Sequence, residues 1–192
     1  MEIQVIDDLL PQSYADSIES AVLGKNMVWS YMPTTSNLNL YVDKGATESP
    51  QFVHMVQDVG GEGSDYQPLF FPILWFLEQR TGQKSNTISR IKLNLLLKNL
   101  NYPEDGRHTA HVDTATPHIA ALYYPIDSDG DTFFFNECYN QTMGVGIPST
   151  LTVRQRVAPK KNRLVVFDGR IFHASSAPRE HLHRFCLNIN FV

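Results

Sequence analysis

The segment Ile91-Lys92-Leu93-Asn94-Leu95-Leu96-Leu97-Lys98 marks a change in the sequence from helical to strand-like spacing of apolar residues. Its odd-numbered positions are all apolar, whereas its even-numbered positions are polar except for Leu96. Successive side chains of a strand point to opposite faces, so this alternation predicts a strand with one buried face. From Thr87 onward the sequence continues as short apolar segments separated by turns, which predicts further strands.

The further strands predicted in this half of the chain are short and bounded by turn residues. They cover residues 118–126, 132–135, 151–157, 163–168 and 184–191. Residues 136–150 contain Gly144, Gly146 and Pro148 and show no periodicity, which predicts a long loop.

Two helices are predicted before this series of strands. Apolar residues recur at helical spacing after Pro11, whose fixed φ suits a first turn, and Gly24 ends the segment. The second helix is predicted over residues 66–81, where Pro72 either shifts the start or kinks the helix. Short strands are predicted at residues 1–6, 27–32 and 38–42, and residues 48–58 are ambiguous.

Helices in the first half and turn-linked strands in the second half predict an α+β fold. The strands are expected to form a double-sheet β-roll, a double-stranded β-helix or jelly roll of the cupin-like kind. A length of 192 residues suits one domain with a substantial core. We therefore expect residues 1–192 to form a single domain, with 1–86 as support and 87–192 as the core.

The composition is that of an ordinary globular chain and narrows the classes of partner. A net charge of −4 argues against a nucleic-acid binder, which usually carries a basic face. No apolar stretch reaches the length of a membrane span, and the N-terminus lacks a signal peptide, so a cytoplasmic location is expected. Cys138 and Cys186 are expected to be reduced thiols. Nothing in the sequence predicts the oligomeric state.

The motif His111-Val112-Asp113 is the first candidate for a functional site. On an extended segment these two outer side chains share one face, so an imidazole and a carboxylate could meet one ion. A third ligand should come from a distant part of the chain, and His173, which follows the predicted strand at residues 163–168, is available for it. Two His and one carboxylate leave open positions on a metal, which is the ligand set of non-haem Fe(II) oxygenases. A His-x-Asp motif alone would be weak, since the chain contains seven His.

A basic residue in the last predicted strand strengthens this hypothesis. Arg184 begins an apolar segment that continues through Phe185, Leu187, Ile189 and Phe191. An unpaired buried charge is costly, so a buried Arg requires an anionic partner. Because Arg binds carboxylates through two parallel hydrogen bonds, a dicarboxylate co-substrate fits this position.

Four features of the sequence then occur in a fixed order. They are Tyr102-Pro103 leading to the His111/Asp113 motif, Tyr123-Tyr124 followed by Asp129-Gly130-Asp131-Thr132, Val157-Ala158-Pro159 leading through Phe167-Asp168 to His173, and Arg184. This ordered set resembles the Fe(II)- and 2-oxoglutarate-dependent dioxygenases, in particular their compact prolyl-4-hydroxylase-like branch. The similarity covers roughly residues 91–192.

The resemblance implies a role for each matching position. His111, Asp113 and His173 correspond to the iron ligands and catalytic centre. Arg184 corresponds to the residue that binds the distal carboxylate of 2-oxoglutarate. The implied reaction consumes 2-oxoglutarate and O₂, releases succinate and CO₂, and hydroxylates a C–H bond.

The resemblance also implies a tyrosine-lined co-substrate pocket. Tyr124 corresponds to a hydroxyl donor to the distal carboxylate, and Tyr102 to a second tyrosine of the pocket. Cys186 stands where several members of the family carry a small hydroxyl residue, so one hydrogen bond to the co-substrate is missing from the pattern. Asn94 and Asn188 could replace it, and the sequence does not decide between them.

The remaining polar residues near these motifs are expected to have no role in metal or co-substrate binding. His108 is expected to be solvated, although it precedes the metal motif. His181 and His183 are expected at the rim of the site, because on a strand they share a face with each other and not with Arg184. Asp168 and Arg170 are expected to form a pair that stabilises a turn.

A prolyl residue of a peptide or protein is the first choice of substrate, by resemblance only. A free amino acid, another small molecule or a nucleobase stays possible. The residues that select the substrate are expected within 29–42 and 136–150. Two other functions remain open, a metal enzyme that does not use 2-oxoglutarate and a binding module that keeps a metal for stability.

Overall fold

The computed structural model of the chain describes residues 1–36, 43–61, 63–140 and 148–192. Three helices are present in these ranges, α1 (Gln12–Val22), α2 (Gln67–Phe70) and α3 (Pro72–Thr81). The strands are β1 (Gln4–Ile6), β2 (Ser30–Met32), β3 (Gln51–Asp58), β4 (Ile88–Leu97), β5 (Ile119–Tyr124), β6 (Thr132–Cys138), β7 (Val153–Val157), β8 (Arg163–Asp168), β9 (Ile171–Ser175) and β10 (His183–Phe191).

The strands form two antiparallel sheets. The larger sheet has seven described strands in the order β1-β8-β5-β10-β4-β3-β2, and the smaller has three in the order β7-β6-β9. The two longest strands, β10 and β4, lie side by side in the larger sheet. Two facing sheets with helices at the N-terminal side confirm the predicted α+β jelly roll.

The helices cover one face of the larger sheet. Apolar side chains of α1 and α3 belong to the same buried cluster as the odd-numbered residues of β4. Members of this cluster include Ala15, Ile18, Ile73, Leu77, Ile91 and Leu93. A second cluster fills the space between the two sheets and includes Leu122, Tyr124, Phe134 and Phe167.

The predicted helix over residues 66–81 is interrupted at Phe71. Pro72 begins α3, because the N–H group that proline lacks would have no partner in the first turn of a helix. The preceding residues form the short α2. Gly82 ends α3 with a φ of 71°, a left-handed conformation that glycine adopts without steric cost. No helix in the described ranges is long and apolar enough to cross a membrane.

The first-half predictions were confirmed in part. The predicted strand at residues 1–6 is β1, the helix after Pro11 is α1, and the strand at residues 27–32 is reduced to β2. The ambiguous residues 48–58 contain the eight-residue β3. The strand predicted at residues 38–42 lies outside the described residues.

The polar face of β4 differs from the expectation for a half-buried strand. The odd-numbered side chains form the buried face, as predicted, and pack under the helices, except that Leu97 is exposed. The even-numbered residues Lys92, Asn94 and Leu96 line an internal cavity instead of facing solvent. Alternation of apolar and polar residues is the same in both cases, so it cannot distinguish a cavity wall from a surface.

Asn162 connects the N-terminal segment to the strands of the core. Its side-chain Oδ1 accepts a hydrogen bond from the Leu10 backbone N–H at 3.0 Å, and its Nδ2 donates to the Leu10 carbonyl at 2.9 Å. The residue is buried and has a φ of 64°, which asparagine tolerates better than most residues. Both the side chain and the turn conformation therefore favour asparagine here.

Replacing this residue tests how strongly the N-terminal segment is held. We expect Asn162→Ala to lower the free energy of unfolding by roughly 2–4 kcal/mol, since it removes the two buried hydrogen bonds to Leu10 and a longer one from the Tyr123 hydroxyl, and strains the turn. Asn162→Gly keeps the backbone conformation and should cost about 1 kcal/mol less. Urea unfolding measures both, with the exposed Asn101→Ala as control. Equal stability of Asn162→Ala and wild type would contradict this account.

Candidate active site

Two reciprocal backbone hydrogen bonds bring His111 next to His173. The N–H of each residue donates to the carbonyl of the other at 3.0 Å, forming an antiparallel bridge between the segment before Asp113 and strand β9. The imidazole centroids lie 4.8 Å apart. Asp113 Oδ2 lies 3.7 Å from His173 Nε2, and one ligand atom from each of the three residues lies within 4.8 Å of the others. The structure thus brings the three predicted ligands together.

Backbone carbonyls fix the tautomer of both histidines. His111 Nδ1 lies 3.0 Å from the Thr109 carbonyl, and His173 Nδ1 lies 3.1 Å from the Ile171 carbonyl. A carbonyl oxygen only accepts hydrogen bonds, so each Nδ1 must carry the proton. The Nε2 lone pairs are therefore available to a metal, and the carbonyls orient the rings as is usual for metal-binding histidines.

The ionisation of the three side chains suits metal binding. Burial lowers the pKa of His111 and lowers that of His173 to about 4, so both are neutral at neutral pH. Burial alone would raise the pKa of Asp113, but the nearby His173 and Arg90 hold it well below its usual range. Two neutral imidazoles and one carboxylate fit Fe(II) and similar divalent ions.

Arg90 and Asn188 hold the carboxylate of Asp113 from two sides. Arg90 Nη2 donates to Oδ1 at 2.6 Å, and Asn188 Nδ2 donates to Oδ2 at 3.1 Å. Both residues stand on strands of the larger sheet, β4 and β10. The carboxylate is thus oriented before any ion binds, which favours a rigid metal site.

Arg184 lies at the other end of the same cavity. It is 2% exposed, and its Nε donates to the Gly130 carbonyl at 2.5 Å. Its Nη2 donates to Thr132 Oγ1 at 2.7 Å. A Cβ at Gly130 would lie 2.8 Å from Arg184 Cδ and 2.5 Å from the Ser176 carbonyl, so only glycine fits beside the arginine. Within the described part of the chain, no carboxylate forms an ion pair with this guanidinium.

The hydroxyl group of Thr132 can donate a hydrogen bond to a ligand in the cavity. Tyr124 Oη lies 2.7 Å from Thr132 Oγ1, and no other acceptor for the buried phenol is found among the described residues. Burial raises the pKa of Tyr124, so the phenol stays protonated and donates a hydrogen bond to Thr132 Oγ1. Thr132 then accepts from both Tyr124 and Arg184, and its own O–H is free to donate into the cavity.

The two predicted tyrosines therefore occupy different positions. Tyr124 packs with its ring 5.7 Å from the Arg184 guanidinium and contacts the cavity through Thr132. Tyr102 is buried, but its hydroxyl donates to the Thr47 carbonyl at 2.8 Å and the residue does not line the cavity. A direct contact of either hydroxyl with a co-substrate stays a prediction.

Three rows of paired residues on β4 and β10 form one wall of the cavity. Lys92 pairs with Asn188 at the metal end, Asn94 pairs with Cys186 in the middle, and Leu96 pairs with Arg184 at the far end. Cys186 is buried at the position that was expected to carry a hydroxyl, and burial raises the pKa of its thiol to about 11. Thr132, His173 and Ser175 line the cavity from the smaller sheet.

The expectation that His108 is solvated is wrong. The residue is fully buried, with Nε2 2.7 Å from Ser49 Oγ and Nδ1 3.0 Å from Ser175 Oγ. Burial lowers the pKa of His108 to about 4, so the ring is neutral. Because Ser175 lines the cavity, His108 orients one of its hydroxyl groups. A polar residue three positions before the metal motif gave no signal of this burial.

The expected pair of Asp168 and Arg170 is confirmed, and the position of His181 and His183 at the rim of the site stays a prediction. Arg170 Nη2 donates to Asp168 Oδ2 at 2.6 Å within one turn, as expected. His181 has a side chain that is 48% exposed and contacts Asp129 at 3.0 Å, outside the cavity. His183 is partly buried and packs against Phe185.

Several cavity residues were not identified from the sequence. They include Lys92, Thr132 and Ser175, and Arg90, which does not line the cavity but donates to Asp113, was not identified either. Lys92 and Arg90 belong to the polar face of β4. They could have been identified if the position of β4 in the interior of the sheet had been recognised. A strand with neighbours on both sides and a second sheet above it has no solvent face.

Comparison with known proteins supports the fold through solved structures alone. No family model matches the sequence, and no curated protein matches it. An oxidoreductase of the 2OG-Fe(II) oxygenase family from Burkholderia pseudomallei has a similar structure, with a TM-score of 0.64, 14% identity, and coverage of 98% of this chain and 84% of that one.

Two further solved structures share this fold. A prolyl hydroxylase from Trichoplax adhaerens, in complex with a hypoxia-inducible-factor peptide fragment, has a TM-score of 0.60 at 12% identity over 98% of this chain and 82% of its own. The non-haem alpha-ketoglutarate-dependent epimerase SnoN of nogalamycin biosynthesis has a TM-score of 0.62 at 10% identity over 99% of this chain and 78% of its own. The chain thus has the jelly-roll fold of 2-oxoglutarate oxygenases.

Removing one ligand tests the metal site. We expect His111→Ala to weaken Mn(II) binding by more than about 100-fold, because changes in the residues that merely orient ligands already cost 10–100-fold. Isothermal titration calorimetry measures the affinity, and thermal unfolding shows that the variant folds. His181→Ala, an exposed histidine, should bind Mn(II) like wild type. Undiminished binding by His111→Ala would rule out this centre.

The buried neutral His108 predicts a pH-dependent part of the stability. In the unfolded chain this residue takes up a proton near pH 6.5, whereas the folded protein takes it up only near pH 4. Stability should therefore fall as the pH falls from 6.5 towards 4, at up to about 1.4 kcal/mol per pH unit. His108→Gln should show a shallower fall between pH 7 and pH 5 in urea unfolding. Parallel curves for the two proteins would disprove this assignment.

Proposed function

We propose that this chain is an Fe(II)- and 2-oxoglutarate-dependent dioxygenase that hydroxylates a C–H bond. The observation that carries the proposal is Arg184, a buried guanidinium without a carboxylate partner in the described ranges, facing the same cavity as the His111, Asp113 and His173 cluster. A buried cation of this kind requires an anion from outside the chain. The distal carboxylate of 2-oxoglutarate meets that requirement.

The ligand atoms fit a metal with open coordination positions. Fe(II) held there would supply the redox chemistry in which 2-oxoglutarate and O₂ become succinate and CO₂ while a C–H bond is oxidised. His111 and His173 would bind it through their Nε2 atoms and Asp113 through its carboxylate. Arg90 and Asn188 keep that carboxylate in place.

The far end of the cavity is built to hold a carboxylate. Arg184 has guanidinium N–H groups beyond those used by Gly130 and Thr132, and such groups bind a carboxylate strongly. The Thr132 hydroxyl adds a donor on the same side, and Tyr124 determines the direction of that donor. Cys186 and Leu122 form an apolar floor between the two ends, which excludes water from the co-substrate.

The first choice of substrate is a prolyl residue of a peptide or protein. The resemblance of the sequence to the prolyl-4-hydroxylase-like branch supports it, together with the shared fold of the Trichoplax prolyl hydroxylase. The shared fold of the epimerase SnoN shows that the same fold serves other reactions, so the fold does not select the substrate.

Arg184→Met tests the proposal directly. In calorimetry with Mn(II) present, we expect this variant to bind 2-oxoglutarate at least about 30-fold more weakly, the equivalent of about 2 kcal/mol for a lost charged hydrogen bond. Its affinity for 2-oxobutyrate, which has no distal carboxylate, should stay the same. With Fe(II) and O₂, wild type should release succinate from 2-oxoglutarate and His111→Ala should not.

The matched control is Arg154→Met, which removes an exposed arginine of β7 and should bind 2-oxoglutarate like wild type. Metal binding without any affinity for 2-oxoglutarate would refute the proposal and favour a metal-stabilised binding module. Turnover that survives Arg184→Met would favour a metal enzyme with another co-substrate.

A further inference from the structure

Lys92 places a second cation in the cavity, at the metal end. It stands on β4 opposite Asn188, and its side chain is partly buried and lines the cavity together with His111 and Asp113. No hydrogen bond or ion pair joins its ammonium group to any other residue of the described ranges. Asp113 is the one carboxylate among the described residues of the cavity lining, and it is already engaged.

Arg90 and Asn188 occupy the carboxylate that could have neutralised Lys92. Arg90 contacts one oxygen of Asp113 at 2.6 Å, and Asn188 contacts the other at 3.1 Å, on the oxygen that also faces His173. Burial, followed by the repulsion from Arg90, lowers the pKa of Lys92, and the attraction of Asp113 offsets only part of this shift. The protein thus leaves this charge in an environment that an added anion would relieve.

Formal charges show that the co-substrate alone does not balance the cavity. Arg90 offsets Asp113, so the divalent metal ion, Lys92 and Arg184 together carry four positive charges. 2-Oxoglutarate brings two negative charges and leaves two positive charges uncompensated. A site that binds a neutral substrate has no use for this excess, and desolvated charge without compensation is costly.

Asn94 supplies an independent sign of a second ligand. Its Nδ2 donates to the Cys186 carbonyl at 3.4 Å, which turns Oδ1 away, and that buried oxygen has no hydrogen-bond donor. Asn94 lies two residues from Lys92 on the same face of β4 and also lines the cavity. At neutral pH 2-oxoglutarate has no donor to offer, so this acceptor suits an N–H or O–H group of another molecule.

We propose that the substrate carries an anionic group, a carboxylate or a phosphate, which Lys92 binds at the metal end of the cavity. Asn94 accepts a hydrogen bond from an N–H or O–H group next to that anion. This inference rests on the proposed function, and it narrows the substrate to acids such as a free amino acid or a peptide with a nearby carboxylate. Lys92 is thereby a specificity-determining residue.

Anion binding by the loaded protein tests this assignment without knowledge of the substrate. With Mn(II) and saturating 2-oxoglutarate, acetate and methyl phosphate are titrated by calorimetry into wild type, Lys92→Met and Lys92→Arg. We expect at least one anion to bind wild type and Lys92→Arg, and to bind Lys92→Met at least about tenfold more weakly. Lys98→Met, an exposed lysine just after β4, is the matched control and should behave like wild type.

The affinity for 2-oxoglutarate separates the substrate role from a co-substrate role. Lys92→Met should bind 2-oxoglutarate within about threefold of wild type, whereas Arg184→Met should not. Equal weakening in both variants would show that Lys92 holds the co-substrate and would overturn the inference. Failure of the loaded wild type to bind either anion, or equal binding by Lys92→Met, would overturn it as well. If wild type does not bind 2-oxoglutarate at all, the proposed function fails first.

Matched acids and amides then identify the source of the anion. Succinate release by the Fe(II) protein is measured with L-proline and L-prolinamide, and with a prolyl peptide that ends in a free carboxylate or in an amide. Stimulation by the acid of one pair supports the inference and names the source. Stimulation by an amide equal to that by its acid would contradict it.

Discussion

The pairing of His111 with His173 is the constraint on which the rest of the site depends. Sixty-two positions separate these residues, and two backbone hydrogen bonds between them bring their rings to 4.8 Å. The same pairing fixes the direction of the segment that follows, so Asp113 turns towards Arg90 and Asn188 on the larger sheet. One bridge between chain segments therefore positions the three candidate ligands at one end of the cavity.

The far end of the cavity is controlled by a different constraint, the cost of burying Arg184. Its neighbours Gly130 and Thr132 use two of its donors and leave its charge unbalanced by any described carboxylate. Hydrogen bonds to neutral oxygens hold the guanidinium in position without neutralising it. The buried charge of Arg184 destabilises the ligand-free protein. An anion that binds there neutralises the charge, so ligand binding stabilises the fold.

The sequence predicted the strands whose pattern was regular, and β8 was placed with its observed bounds. Side-chain chemistry singled out His111, Asp113, His173 and Arg184, because their residue types and order are specific, and the structure brings all four to one cavity. It did not locate Lys92, since polar residues of a strand that faces a cavity look like those of a strand that faces water. The burial of His108 depends on Ser49 and Ser175, which are distant along the chain, and no local pattern reports such contacts.

Cys186 has a further consequence for the chemistry of this protein. The thiol is 3% exposed and its raised pKa keeps it protonated at neutral pH, so little of the reactive thiolate forms beside a centre expected to handle O₂. Cys138 is exposed at the end of β6. Alkylating reagents and fluorescent labels will therefore react at the surface cysteine and spare the interior one, which gives the protein a single natural attachment point for spectroscopic probes.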